Sequence, residues 1–295
     1  MPRSRAIVSV EWLAAHLGMP DVQVVDVRWY LPTTGKSAKV AFEDAHLPGA
    51  TFVDLDHDLA AHGGPGLGRH PLPSAEAFAA SLGALGINPE THVVAYDDTG
   101  GSTAARMWWM MRQVGHERVS VLDGGIEAWR EGGNPVESGR VIAVPTLYPA
   151  RSFGAFGPIV ARGDILPALS AGAILLDARA PERFEGVVEP IDPRAGHVPG
   201  ARNAPFAGNL VAKTKSGAPR LLGASELHAR FAQVGAAGEM PVIVSCGSGV
   251  TACHNAFAMY VAGLDVPGIY VGSWSDWSAE PSLPVETGPA PVENG

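Results

Sequence analysis

An α/β fold built twice is what this sequence predicts: two tandem domains, each a mainly parallel sheet flanked by helices. Two observations carry the prediction. Short β-branched runs alternate with helix-like segments throughout, the pattern of a parallel sheet with crossover helices. Three sequence blocks also recur in the same order at nearly one spacing. Val-Val-Asp-Val-Arg at 24–28 returns as Leu-Leu-Asp-Ala-Arg at 175–179, an offset of 151 (177 − 26). His-Leu-Pro-Gly-Ala at 46–50 returns as His-Val-Pro-Gly-Ala at 197–201, again at 151 (197 − 46). Val-Leu-Asp-Gly-Gly-Ile-Glu-Ala-Trp at 121–129 returns as Ile-Tyr-Val-Gly-Ser-Trp-Ser-Asp-Trp at 269–277, at 148 (277 − 129). A period this long means two domains rather than a solenoid, and 295 residues give each a sizeable core. The expected division is 1–140 for the first domain, 141–157 for a Pro- and Gly-punctuated linker and 158–295 for the second.

In the first copy, Ser9 is expected to cap a helix from Val10 to Leu17, and Val22 to Val27 to form a strand. A Gly- and Pro-rich loop covers His62 to Pro73. Ser74 is placed to cap a helix over 75–85. Val93 to Tyr96 and Val119 to Leu122 read as strands, and 102–114 and 126–131 as helices. In the second copy the expected helix is 160–169 and the first strand 173–176. The region 180–222 reads as loop-rich, and Ser225 is expected to cap a helix over 226–234. Val242 to Val244 reads as a buried strand, 250–260 as a helix and Gly268 to Val271 as the last strand. From Glu280 the chain is Pro-rich and is expected to run over the surface.

With 46% hydrophobic and 17% charged residues, the chain has the composition of a soluble globular protein. A net charge of −9 argues against nucleic acid as a partner. No apolar run reaches the length of a membrane span. Met1-Pro2-Arg3-Ser4-Arg5 does not open a secretory signal, so a cytoplasmic location is expected. Scattered histidines, and the absence of GxGxxG and GxxxxGK[ST] patterns, give no reason to expect a metal or an organic cofactor.

The chemistry concentrates at one turn. Cys246 follows the strand 242–244 directly, and Gly247 and Gly249 let the backbone curl before a helix begins. Backbone N–H groups and a helix N-terminus behind a sulfur favour an anion, the setting of a reactive thiolate. The repeat acts as an internal control: aligning Val93–Tyr96 with Val242–Ser245 puts Asp97 where the second copy has Cys246. The second domain is therefore expected to be catalytic and the first inactive. A cysteine phosphatase needs Cys-x5-Arg, but six residues after Cys246 stands Ala252. Cys253 is expected in the core. His46 and His197 recur in both copies and are expected to hold turns.

These residues carry a resemblance over about 8–286. The duplicated Asp-x-Arg and His-x-Pro-Gly-Ala, followed by Cys246-Gly-Ser-Gly-Val-Thr-Ala252, resemble the two-domain rhodanese superfamily, in its 3-mercaptopyruvate sulfurtransferase form. The resemblance implies two tandem rhodanese-like domains and sulfur transfer through a Cys246 persulfide. The donor would be 3-mercaptopyruvate, with release of pyruvate. The acceptor would be cyanide, a thiol or a reduced thioredoxin-like protein. It also implies a carboxylate clamp of Arg179 and Arg183, with Arg194 as a weaker third candidate. Ser248, His70 and Asp56 would form a proton relay. Gly247, Gly249, Val250, Thr251 and Ala252 would supply backbone donors toward thiolate, persulfide and substrate. Thiosulfate sulfurtransferases typically carry basic residues inside the turn, and this turn has none, which favours mercaptopyruvate. Thiosulfate, or a persulfide-carrier role for a partner protein, is the alternative. Arg28, the counterpart of Arg179 in the inactive copy, signals that an Asp-x-Arg arginine can be purely structural.

Overall fold

A computed structural model describes residues 3–62, 66–211 and 217–289. Parts of the expected 62–73 loop, the 180–222 loop region and the tail after 280 lie outside the described residues. The chain forms two compact units, Met1–Ala61 with Pro73–Phe156 and Leu210–Leu221, and His62–Leu72 with Gly157–Asn209 and Leu222–Gly295. Two stretches thus depart from a simple division along the sequence. Residues 62–72 count with the second unit, where the Arg69 backbone N–H donates to Ser275 Oγ at 3.1 Å. Residues 210–221 count with the first, where the Leu221 N–H donates to Asp123 Oδ1 at 2.9 Å.

The N-terminal unit runs β1 (Ile7–Val8), α1 (Val10–His16), β2 (Val22–Asp26), α2 (Ala38–Asp44), β3 (Thr51–Phe52), α3 (Leu55–Asp58), α4 (Ala75–Ala84), β4 (His92–Tyr96), α5 (Ala104–Gln113), β5 (Val119–Leu122) and α6 (Gly125–Glu131). Its sheet has the order β1-β5-β4-β2-β3, with every pairing parallel. Ser9 and Ser74 cap α1 and α4 by accepting the N–H of the residue three positions on.

The C-terminal unit runs β6 (Ile159–Val160), α7 (Ile165–Ser170), β7 (Ile174–Asp177), α8 (Pro181–Phe184), β8 (Arg202–Asn203), α9 (Ala224–Gln233), β9 (Val242–Ser245), α10 (Val250–Val261), β10 (Gly268–Tyr270) and α11 (Ser273–Trp277). Its sheet, β6-β10-β9-β7-β8, is again all parallel and repeats the first order strand for strand. The central strands of both sheets are buried nearly throughout, as parallel sheets covered on both faces must be. In each sheet the middle strand, β4 or β9, ends at the turn that carries Asp97 or Cys246.

Local expectations differ from the structure at two places in this unit. Residues 159–160 are an edge strand paired with Ile269 and Tyr270, so the helix expected from Val160 starts only at Ile165. Ser225 lies inside α9, and the cap is Gly223, whose N–H donates to Glu226 Oε2 at 2.9 Å. The described part of the tail runs over the surface as expected, and it is tied down there. Glu286 bridges His197 through backbone hydrogen bonds, and Pro284 O accepts the Trp277 indole N–H at 2.9 Å.

The recurring motifs have recurring structural jobs. His46 Nδ1 lies 2.8 Å from Phe42 O, with its ring stacked on Phe42; His197 Nδ1 lies 2.8 Å from Phe184 O, stacked on Phe184. Trp129 and Trp277 are fully buried, and each donates its indole N–H to a proline carbonyl. Among the described residues no helix is long and apolar enough to cross a membrane.

Candidate active site

Cys246 follows the C-terminal end of β9, the place where open parallel sheets gather ligand sites. It is only 2% exposed. Residues 246–249 join β9 to α10, and Gly249 occupies the N-cap with φ +80°. Its N–H donates to Cys246 Sγ at 3.1 Å. Glycine is needed there for two reasons: the left-handed backbone, and space, since a Cβ would lie 2.3 Å from Val271 O. The segment after β10 holds the turn from below. Trp274 N–H donates to Cys246 O at 2.9 Å, and Ser275 N–H to Gly247 O at 2.9 Å. Ser273 Oγ accepts the Cys246 N–H at 3.1 Å and donates to Tyr270 O at 2.8 Å.

Ser273 is the one non-glycine residue with positive φ among the described residues, at +52°. Such a backbone costs an ordinary residue about 1–2 kcal/mol. Its counterpart in the N-terminal repeat is Gly125, at φ +56°. The C-terminal copy has thus placed a hydroxyl where the N-terminal copy keeps the unstrained glycine.

The N-terminal unit shows what such a turn can hold. Asp97 is 1% exposed, and its carboxylate fills its own turn. Oδ1 accepts the N–H groups of Thr99 and Gly101 at 2.9 Å each. Oδ2 accepts Thr103 N–H at 2.9 Å, Thr103 Oγ1 at 3.0 Å and Ala104 N–H at 3.0 Å. A built-in anion is held there by backbone donors at a helix start. At the corresponding turn of the C-terminal unit the anion would be the thiolate.

His70 and Ser248 come together in the C-terminal unit: Nδ1 and Oγ are 2.7 Å apart, and both residues are 8% exposed. Asp56 belongs to the N-terminal unit. It lies in the first turn of α3 with its N–H donating to the N-cap Asp54 Oδ1, and its Oδ2 accepts the Trp29 indole N–H at 3.0 Å. Val250, Thr251 and Ala252 form the first turn of α10, with Val250 and Ala252 buried. Cys253, one turn further along that helix, is 0% exposed and donates its S–H to Gly249 O at 3.3 Å.

The arginines divide into two kinds. Arg179 is 4% exposed, with Nε and Nη2 donating to Asp177, Nη2 also to Gly196 O at 2.7 Å, and Nη1 to Glu189 at 3.3 Å. The guanidinium stacks 4.7 Å over the Trp274 ring. Burial disfavours its charge, but Asp177 and Glu189 outweigh that and hold its pKa above the usual arginine value. Arg28 makes the same fork on Asp26 in the N-terminal unit, with Nη2 also donating to Ala45 O. The Asp-x-Arg motif thus forms the same strand-end fork in both units, and the guanidinium expected to clamp substrate is engaged with Asp177, Glu189 and Gly196 O. Arg194 is also engaged, donating to the carbonyls of Trp277, Ser278, Glu280 and Leu283.

Arg183 is different, with its side chain 19% exposed. It shares the turn with an arginine that sequence reasoning missed, Arg69, 33% exposed in its side chain. A Cβ built on Gly247 would lie 3.2 Å from Arg69 Nη2 and 3.4 Å from Arg183 Nη1. Two guanidinium groups thus converge on the residue next to Cys246. Carboxylates steady both. Arg183 donates to Glu189 at 2.7 Å and to Asp192 at 3.1 Å, and Arg69 donates to Asp192. Burial works against the Glu189 anion, but Arg183 and the N–H groups of Ile191 and Asp192 win and hold its carboxyl low. At Asp192 burial prevails over Arg69 and Arg183 and pushes the carboxyl up. Among the described residues no cluster of His, Cys, Asp and Glu is arranged to hold a metal ion.

Comparison with known proteins agrees with this architecture. A family model for the rhodanese-like domain matches residues 9–132 and 164–280. A Pseudomonas aeruginosa protein named "Probable 3-mercaptopyruvate sulfurtransferase" is 40% identical over 289 residues, 97% of this chain and 99% of its own. Thiosulfate/3-mercaptopyruvate sulfurtransferase 1 of Arabidopsis thaliana is 37% identical, covering 96% of this chain and 79% of its own. The crystal structure of SseA from Escherichia coli, a 3-mercaptopyruvate sulfotransferase, is 33% identical with a TM-score of 0.79, covering 92% of this chain and 99% of that one. With two matched domains, identity along nearly the whole length and the same fold, the chain belongs to the rhodanese family as a two-domain sulfurtransferase.

Proposed function

We propose that the chain takes sulfur from 3-mercaptopyruvate and carries it as a Cys246 persulfide to a thiophilic acceptor. Its relatives of that name supply the donor class, and the observation that carries the assignment here is the pair of guanidinium groups beside an uncharged Cys246 turn. Arg183 and Arg69 would bind the donor carboxylate through charge-assisted hydrogen bonds. This places the donor thiol against Cys246. The Cys246 thiolate attacks the donor sulfur, and the S–S bond forms as the carbon–sulfur bond breaks. The electron pair leaves on the donor carbon as the enolate of pyruvate. Protonation of that carbon gives pyruvate, and the Ser248–His70 pair, 2.7 Å apart, would handle the proton. An acceptor then takes the outer sulfur: cyanide becomes thiocyanate, or a small thiol or thioredoxin-like dithiol removes it, and the thiolate returns.

The Arabidopsis relative is named for both donors, which keeps thiosulfate as a second reading. The discriminating experiment is a side-by-side assay of the two donors with cyanide, following thiocyanate and pyruvate. Mercaptopyruvate is expected to be the better donor by kcat/KM, with one pyruvate released per sulfur moved. Preference for thiosulfate would overturn the donor assignment, and turnover surviving Cys246→Ser would overturn the nucleophile.

A further inference from the structure

The arginine pair beside Cys246 is not a free cationic patch. Asp192 and Glu189 have side chains only 2% and 3% exposed, yet their oxygens reach the two arginines that line the turn. Among the described residues Asp192 is the only carboxylate that touches both: Oδ1 accepts from Arg69 and Oδ2 from Arg183. Glu189 grips Arg183 through Nε and Nη2, and Arg179 through Nη1. Arg179 is further matched by Asp177. Three positive charges thus meet three negative ones in one connected network. The corresponding stretch of the inactive copy, 29–45, contains no arginine at all.

We propose that Asp192 is a specificity-determining residue: by bridging Arg69 and Arg183 it leaves the clamp electrically balanced, so the site accepts a monoanionic carboxylate donor and discriminates against a dianionic one. This rests on the donor assignment above and supplies its physical cause. The arginines still offer directed N–H groups, and these recognise a planar carboxylate by geometry. What the balanced network withholds is surplus positive charge, from which a dianion would gain twice what a monoanion gains. Changing the net charge of the clamp by one, a few ångströms from the donor, therefore shifts the preference between the two donor classes. For an effective dielectric near 20 and partial exposure, the expected shift is about tenfold or more.

Two substitutions change that charge in opposite directions. Asp192→Asn raises it by one, and Arg69→Gln lowers it by one. Each variant, with the wild type and Asp192→Glu, is assayed with thiosulfate and with 3-mercaptopyruvate, using cyanide as acceptor. The readout is the ratio of kcat/KM for the two donors. The ratio is expected to move toward thiosulfate by about tenfold in Asp192→Asn, chiefly through a lower thiosulfate KM, and toward mercaptopyruvate in Arg69→Gln. Asp192→Glu should restore the wild-type ratio. Arg69 is at the exposed side of the cluster, so its variant keeps the test open if Asp192→Asn does not fold. A ratio that stays put, or that moves the same way in both variants, overturns the role of Asp192. A wild type that releases no pyruvate from mercaptopyruvate instead overturns the donor assignment beneath it.

Discussion

Replacing Arg179 by alanine should unfold the protein more readily rather than weaken substrate binding. The side chains of Arg179 and Asp177 are only 2% and 4% exposed and share a forked contact. Truncating the arginine leaves Asp177 as a buried anion that has lost its partner, and leaves Gly196 O without the N–H it accepts at 2.7 Å. Breaking a buried pair from one side costs about 3–5 kcal/mol. The stacking of the guanidinium on Trp274 is lost as well, worth about 1 kcal/mol more. Against a total of about 5–15 kcal/mol for a domain, this is a large fraction, and the melting temperature should fall by roughly 10 °C. Arg28→Ala removes the same brace from the N-terminal unit and should cost a similar amount. Arg183→Ala should cost less stability, because Glu189 keeps Arg179 and Asp192 keeps Arg69 as partners, and its melting temperature should fall by less than that of Arg179→Ala. Its loss of charge-assisted hydrogen bonds to the donor, about 1.5–3 kcal/mol, should raise KM by about ten- to a hundredfold. Scanning calorimetry paired with kcat and KM on the folded protein separates the cases. If Arg179→Ala melts like wild type while its KM rises as in Arg183→Ala, the structural assignment of the Asp-x-Arg brace is refuted.

Two further substitutions probe the turn itself. Gly249→Ala should both destabilise the C-terminal unit and cut turnover at least tenfold, because the added Cβ meets Val271 O and displaces the N–H aimed at Cys246 Sγ; near-normal turnover would show that this donor does not matter. Ser248→Ala should slow transfer from mercaptopyruvate more than from thiosulfate, since only the former leaves a carbanion to be protonated, and equal slowing in both would argue against a proton role for the Ser248–His70 pair.

Much of this was legible in the sequence because the repeat is long and its motifs are rigid. Alternating β-branched runs and helical segments are local signals, and they place most strands and helices within a residue or two. The repeat also sets Cys246 against Asp97, and it carries the warning about Arg179: the same arginine stands at 28 in the copy without a thiol. What the sequence did not reveal depends on contacts between distant segments. Arg69 reaches Asp192 across 123 residues, and nothing in Gly68-Arg69-His70 announces a partner in a later loop. Glu189 and Asp192 sit in an aperiodic stretch where acidic residues read as solvated, although their side chains are buried. Ser273 had a usable signal, since the third repeated block sets it opposite Gly125. Its meaning emerges only from the positive φ and the hydrogen bond to the Cys246 N–H. The edge strand at 159–160 was lost for another physical reason. Two residues are too few to show a period, and their identity as strand comes from pairing with β10.

Mixing the protein with 3-mercaptopyruvate in the absence of an acceptor isolates the first half of the cycle. Mass spectrometry of the intact chain and its peptides should then find one added sulfur on the peptide containing Cys246, none on Cys253, and one pyruvate released per chain. Sulfur on Cys253 instead, or pyruvate released with Cys246 unmodified, would contradict a persulfide carried at this turn.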